Sequence, residues 1–386
     1  MSIKVGVAIS TEQESVDAGA AAGRAVADAL AGAPADLAMV FASGEHLGAP
    51  EEALEAIHAA VEPAALVGCA AGGVLGSGRE LEGGTALAVW AASFGGDAEA
   101  TPFHATIDED GMEATVEGLP PLAGASGAIL LADPYSFPTD PVLGLIAERA
   151  PGVPVLGGIA SAHGPGGPLF VDGESHDQGA VGVSLEGVEM LACVSQGAAP
   201  LGRELTITAA EGNIIHELAG RPALQTVERI VAELSPRERA LVAGGLLIGI
   251  VIDSGKPEYG QGDFLVRGVL GADPDTGSIA VGASVRNGQV VRLHARDARS
   301  ADEDLRHALR LQAEAMAGGI PAGVLLFSCN GRGRAMFGAP DHDAGAVARE
   351  LGGTPAAGFF AAGEIGPVGG RSFLHGFTAT LAVFPG

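Results

Sequence analysis

The sequence predicts an α/β to α+β protein of two related halves, with mixed β-sheets flanked by helices and built on a repeated β-α-β-β unit. Three observations predict it. A strand–helix–strand–strand order recurs three times along the chain, the mark of an internally repeated scaffold. The apolar runs are short and bounded by Gly and Pro, as buried strands are. Hydrophobic residues make up 47% of 386 residues, yet aromatics only 4%, with 61 Gly. Such a composition suits large sheets packed through small side chains.

In chain order, residues 3–9 alternate as a strand, and 14–30 read as an Ala-rich helix ended by Gly32 and Pro34. The first copy follows: strand 37–41, helix 50–61 with Pro50 in its first turn, strand 65–69 running into Gly72 to Gly76, and strand 84–94. The second is strand 127–132, helix 141–149, strand 154–156 into Gly157-Gly158, and strand 179–185. The third is strand 323–327, helix 343–351, strand 355–360 into Gly363, and strand 376–384. Gly68, Gly157 and Gly358 correspond among the copies.

Between the second and third copies, strands are expected at 190–194, 204–208, 246–252, 264–270, 279–284 and 290–295. Residues 213–219 read as a helical turn or two, and 223–234 as a helix after Pro222. Ser300 and Glu303 form a capping-box pattern opening a helix over 301–316. The junction between halves is placed in 200–222, giving modules 1–220 and 221–386.

Charge narrows the partners. A net charge of −26 argues against nucleic acid and anionic membrane, both of which need a basic face. No run approaches the roughly 18 apolar residues of a membrane span. The N-terminus lacks a signal peptide's charged head and apolar stretch, so a cytoplasmic location is expected. Cys69, Cys193 and Cys329 lie far apart with no C-x-x-C pair, which excludes a disulfide framework and a zinc ribbon. Residues 1–193 carry 4 Lys+Arg against 27 Asp+Glu, a net of −23. Residues 194–386 carry 17 against 20, and 16 of those 17 are Arg. Arg suits bidentate recognition of anions, so these arginines read either as solvated helix faces or as holders of an anionic ligand in the second half.

The glycines at 73, 76 and 78 resemble a phosphate loop, but they lead into another strand rather than a helix, which favours a hairpin. There is no Walker motif, no G-x-S-x-G elbow and no H-E-x-x-H pair, so neither cofactor nor metal is expected. Asp341-His342-Asp343 could offer metal ligands, though an Asp ahead of a helix reads first as its N-cap. Cys329 closes an apolar strand and reads as a small buried hydrophobe or as a nucleophile. In the second case Arg332 or Arg334 would favour its thiolate, with His375 as base and Glu364 as orienter. Glu364, alone among small residues, pairs an arginine or meets a ligand. Arg292, His294 and Arg296 share one strand face. Arg267 sits in an apolar strand and needs a partner, for which Asp297 or Glu364 would serve.

Val67-Gly-Cys-Ala-Ala-Gly-Gly-Val-Leu-Gly76 with Arg79-Glu80, and Glu211 through Ala223, resemble the FIST (F-box and intracellular signal transduction) proteins. So do Asp263 to Arg267, His294 to Asp297, Phe327 to Gly333, Gly363 to Pro367 and His375 to Thr378. The resemblance implies an N-type and a C-type module acting as a sensory domain for small ligands, amino acids among them. It also implies a separate signalling partner, because both modules consume the chain. The leading expectation is a small-molecule-binding protein rather than an enzyme. Its ligand is expected near Cys329, Asn330, Arg332 and Glu364, with Arg267, Arg296 and His375 around it. The alternatives are an enzyme using Cys329 and a partner-docking structural module.

Overall fold

A computed structural model describes residues 3–108, 115–162, 167–260 and 262–386. It is a mixed α/β structure in two compact units. One comprises 1–194, 305–374 and 379–386; the other comprises 195–304 and 375–378.

The first unit holds the three copies, and its three sheets share one strand order. Sheet one runs Lys4–Ser10, Ala86–Ser93, Leu37–Ser43, Leu66–Ala70, then the hairpin Leu169–Val171 and Glu174–His176. Sheet two runs Leu191–Gln196, Thr378–Phe384, Gly323–Cys329, Ala356–Ala361, then the hairpin Val74–Gly76 and Arg79–Leu81. Sheet three runs Glu99–Asp108, Ala180–Glu186, Gly127–Ala132, Val155–Ile159, then the hairpin Glu364–Val368 and Arg371–His375. Thr115–Glu117 extends its edge. In every sheet the copy's first strand is parallel to its second and antiparallel to its closing strand.

The hairpins are exchanged in a ring. The first copy's hairpin pairs with the third copy's second strand, the third copy's with the second's, and the second copy's with the first's. The repeated β-α-β-β unit expected from sequence is present, and each copy's hairpin completes the sheet of the copy before it in the ring.

Three glycines permit this packing. Gly68, Gly157 and Gly358 pair in register with Val40, Leu130 and Leu326 of the adjoining parallel strand. A Cβ at any of the three would run into the carbonyl oxygen of that partner. The inner faces of the sheets meet in one core, where Phe41 stacks on Phe359 at 5.1 Å between ring centres. Phe327 stands edge-on to both rings, at 6.4 and 5.8 Å. Helices cover the outer faces. Ser15–Leu30 and Pro50–Val61 lie on sheet one, Thr139–Arg149 on sheet three, and His342–Glu350 with Leu305 and Leu309 on sheet two.

The carboxyl ends of the three second strands converge at Ser161. Its hydroxyl donates to the Phe360 carbonyl and accepts from Gly72 N–H at 3.0 Å, and its own N–H reaches Ala70 O at 3.4 Å.

The second unit is inserted in the chain between copies two and three. Its strands are Ala198–Glu211, Val290–Arg296, Leu246–Val251, Phe264–Asp273, Ser278–Val281, Ile214–Leu218 and the short Arg221–Pro222, all antiparallel. Ala198–Glu211 pairs with both Val290–Arg296 and Ile214–Leu218, so the sheet closes on itself. Leu205, Ile207, Ile248, Ile250, Val291 and Leu293 fill it, together with Val227 and Ile230 of the helix Ala223–Glu233.

Two expectations are corrected. Residues 213–219 are not helical: Ile214 and Ile215 pair with Ala280 and Ile279, and the Asn213 amide donates to Val281 O at 3.2 Å. The helix expected at 301–316 begins at Ala298, which puts the Ser300–Glu303 pattern inside it rather than at its cap. A capping box does occur at Ser235–Glu238, opening the helix Pro236–Val242. Among the described residues no helix is long and apolar enough to cross a membrane.

Candidate functional site

Strand Gly323–Cys329 ends at Asn330-Gly331, and a 2.8 Å bond from Arg332 N–H to Cys329 O turns the chain sharply. That turn sends the Arg332 side chain inward, where it is 1% exposed. Its Nε donates to Asp343 Oδ2 at 2.7 Å and its Nη2 to Asp343 Oδ1 at 3.0 Å. Asp343 also accepts from the Ser328 hydroxyl and from His342 Nδ1, both at 2.7 Å. The His342 ring stacks on Phe337, 3.4 Å between centres.

Glu80 reaches this cluster from the exchanged hairpin. Its Oε1 accepts from Asp343 N–H at 2.7 Å and Ala344 N–H at 2.9 Å, and its Oε2 from His342 N–H at 3.1 Å. The orphan donors at the start of helix His342–Glu350 are thus satisfied from another copy of the repeat. Asp341 occupies the N-cap position with φ 61° and makes no side-chain cap; its carboxylate accepts from Glu80 N–H instead. The capping role expected of Asp341 belongs to Glu80.

Burial alone would raise the Asp343 pKa, but the Arg332 guanidinium and the bonds from His342, Arg332 and Ser328 hold it well below the usual carboxylate range. Burial pushes Arg332 the other way, and Asp343 with the nearby Cys329 and Glu364 more than offsets it. Glu80 is pushed up by burial and by Asp343, against the three N–H groups it accepts from. One polar atom is left over: Arg332 Nη1 is buried and meets no acceptor.

The seven residues singled out from sequence fall into two groups. Cys329, Asn330, Arg332 and Glu364 lie in the first unit, where Cys329 and Glu364 are among the groups that raise the Arg332 pKa. Cys329 is 5% exposed with Sγ 3.9 Å from Asn330 Oδ1, and Glu364 is wholly buried where it pairs with Gly158. Arg267, Arg296 and His375 lie in the second unit. Arg267 donates to Val266 O at 3.1 Å, Arg296 lies 3.9 Å over the Phe377 ring, and His375 is buried. Asp297 pairs with Arg237 at 3.0 Å. Sequence reasoning assigned no role to Glu80 or Ser328, and it weighed Asp343 and His342 only as metal ligands.

His294 shares the face of Arg292 and Arg296 but is 1% exposed, its ring fitted over Gly249, where a Cβ would strike it. Burial lowers its pKa from 6.5 to about 4, against a small opposite effect of the Arg292 carbonyl. A lowered pKa means the unfolded chain takes up the proton first. Stability is therefore full above pH 6.5 and falls by about 1.4 kcal/mol per pH unit as pH drops from 6.5 toward 4. Urea unfolding at pH 7.5 and 5 should show that slope, and His294→Gln should flatten it. An equal slope in the variant counts against the assignment.

The family model of the FIST N domain matches residues 36–221, and that of the FIST C domain matches residues 223–367. The chain belongs to the FIST family. Its buried cluster draws Glu80 from the FIST N match and Arg332 and Asp343 from the FIST C match. FIST domains are associated with sensing in signal transduction. An uncharacterized protein of Mycobacterium tuberculosis is 45% identical over 385 residues, covering 99% of this chain and 100% of the relative. Another, from Mycobacterium bovis, is 43% identical over 385 residues, 99% of each.

Proposed function

We propose that this FIST protein is a cytoplasmic small-molecule-binding module of the sensor type. Its ligand would be an amino acid or another small anion, held at the strand-end loop of the third copy, and a separate partner protein would carry the signal. The observation that supports the reading is the buried Arg332 Nη1, a charged donor group with no acceptor. A buried donor left unpaired costs about 1–3 kcal/mol, which a ligand oxygen would recover. Asp343 already neutralises the guanidinium, so a bare anion gains little there. An amino acid fits better, its carboxylate on Nη1 and its ammonium toward the acidic side of the cluster, where Glu364 lies.

A thermal scan against amino acids and organic phosphates tests this, on the wild type and on Arg332→Lys. Lysine keeps a cation for Asp343 but lacks Nη1. A ligand at about 100 times its Kd stabilises by roughly 2.7 kcal/mol. One compound class should shift the wild type and shift Arg332→Lys far less. No shift by any compound, or equal shifts in both proteins, removes the support.

A further inference from the structure

Each copy of the repeat places a loop after its first strand, and each of these loops keeps one buried polar atom without a hydrogen-bond partner. They are His46 Nε2, Asp133 Oδ1 and Arg332 Nη1. The second copy's loop is the unusual one. Asp133 follows strand Gly127–Ala132 directly and is 1% exposed. Its Oδ2 is saturated, accepting from Tyr135 N–H at 3.0 Å, Ser136 N–H at 2.7 Å and the Ser136 hydroxyl at 2.6 Å. The loop is anchored by Asp133 N–H to Gly179 O at 2.9 Å and by Gly179 N–H to Ser136 Oγ at 2.8 Å. Oδ1 receives nothing. Among the described residues no Lys, Arg or His pairs with this carboxyl group.

We propose that the Asp133 loop is a binding site for a primary ammonium group. Buried charges in proteins are paired or coordinate a metal, because an unpaired one is costly. A divalent metal does not suit this place. Calcium takes about 6–8 oxygen ligands, whereas no group of three or more His, Cys, Asp or Glu able to hold a metal occurs among the described residues. An ammonium group asks less: one N–H for Oδ1 and the others for backbone carbonyls or water. The position is the carboxyl end of a parallel strand, where α/β sheets bind ligands. The loop that follows Asp133 reaches the surface, with Pro134 and Tyr135 exposed, Tyr135 at 74%. Residues 1–193, with 4 basic against 27 acidic side chains, also set up a field that draws cations.

The probe is methylammonium chloride, with tetramethylammonium chloride at equal concentration as the control that has charge but no N–H. Methylammonium carries no acceptor for Arg332, so this result is separate from the ligand reading above. At about 100 times its Kd, methylammonium should raise the wild-type Tm by about 5 °C, and tetramethylammonium should not. Asp133→Asn retains an acceptor for the three loop donors and puts an NH2 where Oδ1 stood; it should lose the shift. Hydrogen exchange on the wild type supplies a readout that needs no variant, and methylammonium should slow exchange at residues 133–138. Equal shifts from the two salts, an undiminished shift in Asp133→Asn, or protection elsewhere and not in 133–138, would each overturn the proposal.

Discussion

Arg332→Ala should lower the unfolding free energy at neutral pH by about 3–5 kcal/mol, the usual effect of stranding one member of a buried ion pair. Asp343, a fully buried carboxylate, would keep only Ser328 and His342 as side-chain partners. The sign of the pH effect follows from Asp343. Its folded pKa is depressed, so its contribution is present above its ordinary value of 3.8 and is lost as pH falls through the folded value. In Arg332→Ala the depression disappears, burial raises the pKa, and the carboxyl escapes its penalty by taking a proton. The gap between wild type and variant should therefore narrow between pH 7 and pH 4. Arg332→Leu with Asp343→Asn should regain part of the loss, since no buried charge remains. Urea unfolding of the three proteins at both pH values measures this. A loss under about 1 kcal/mol at pH 7 would mean that the cluster is far wetter than its burial indicates.

Gly358→Ala should cost about 3 kcal/mol or more, or prevent folding. The added methyl meets the Leu326 carbonyl in the adjoining parallel strand, and neither backbone can retreat without breaking the sheet. Gly68→Ala and Gly157→Ala should behave alike, for their methyls meet Val40 O and Leu130 O. Gly157 adds backbone strain at φ 141°. Gly83→Ala is the control: nothing lies within 4 Å, and the change should stay within about 0.5 kcal/mol. Denaturant curves for the four variants would show whether the three positions are equivalent. A tolerated alanine at any of them would break the correspondence among copies.

Those three glycines were legible in the sequence, because the repeat places each at the same step of its second strand. The strand–helix–strand order was legible for the same reason. The exchange of hairpins was not, since a three-residue strand such as Val74–Gly76 carries no local sign of which edge it will join. Residues 213–219 look helical by propensity and became a strand because two neighbouring strands offered ladders on either side. Strand Glu99–Asp108 was hidden by its exposed, polar alternation. At the site, Arg332 and Glu364 drew notice through their odd surroundings. The partnership of Arg332 with Asp343, and the capping of that helix by Glu80, depend on contacts across 11 and 263 residues of chain. Only the second of these lies beyond any local pattern.

The ring of exchanged hairpins bears on how the protein is made. Sheet one cannot be completed until the second copy's hairpin at residues 169–176 has emerged, and sheet three waits for residues 364–375, close to the C-terminus. During synthesis the strand Val155–Ile159 therefore stands as an open edge while some two hundred further residues are added, in a region prone to mispairing. A nascent chain stalled at residue 350 should remain a chaperone client however well its first sheet is formed. Release should coincide with the arrival of the hairpin at 364–375, which works as the latch on the ring.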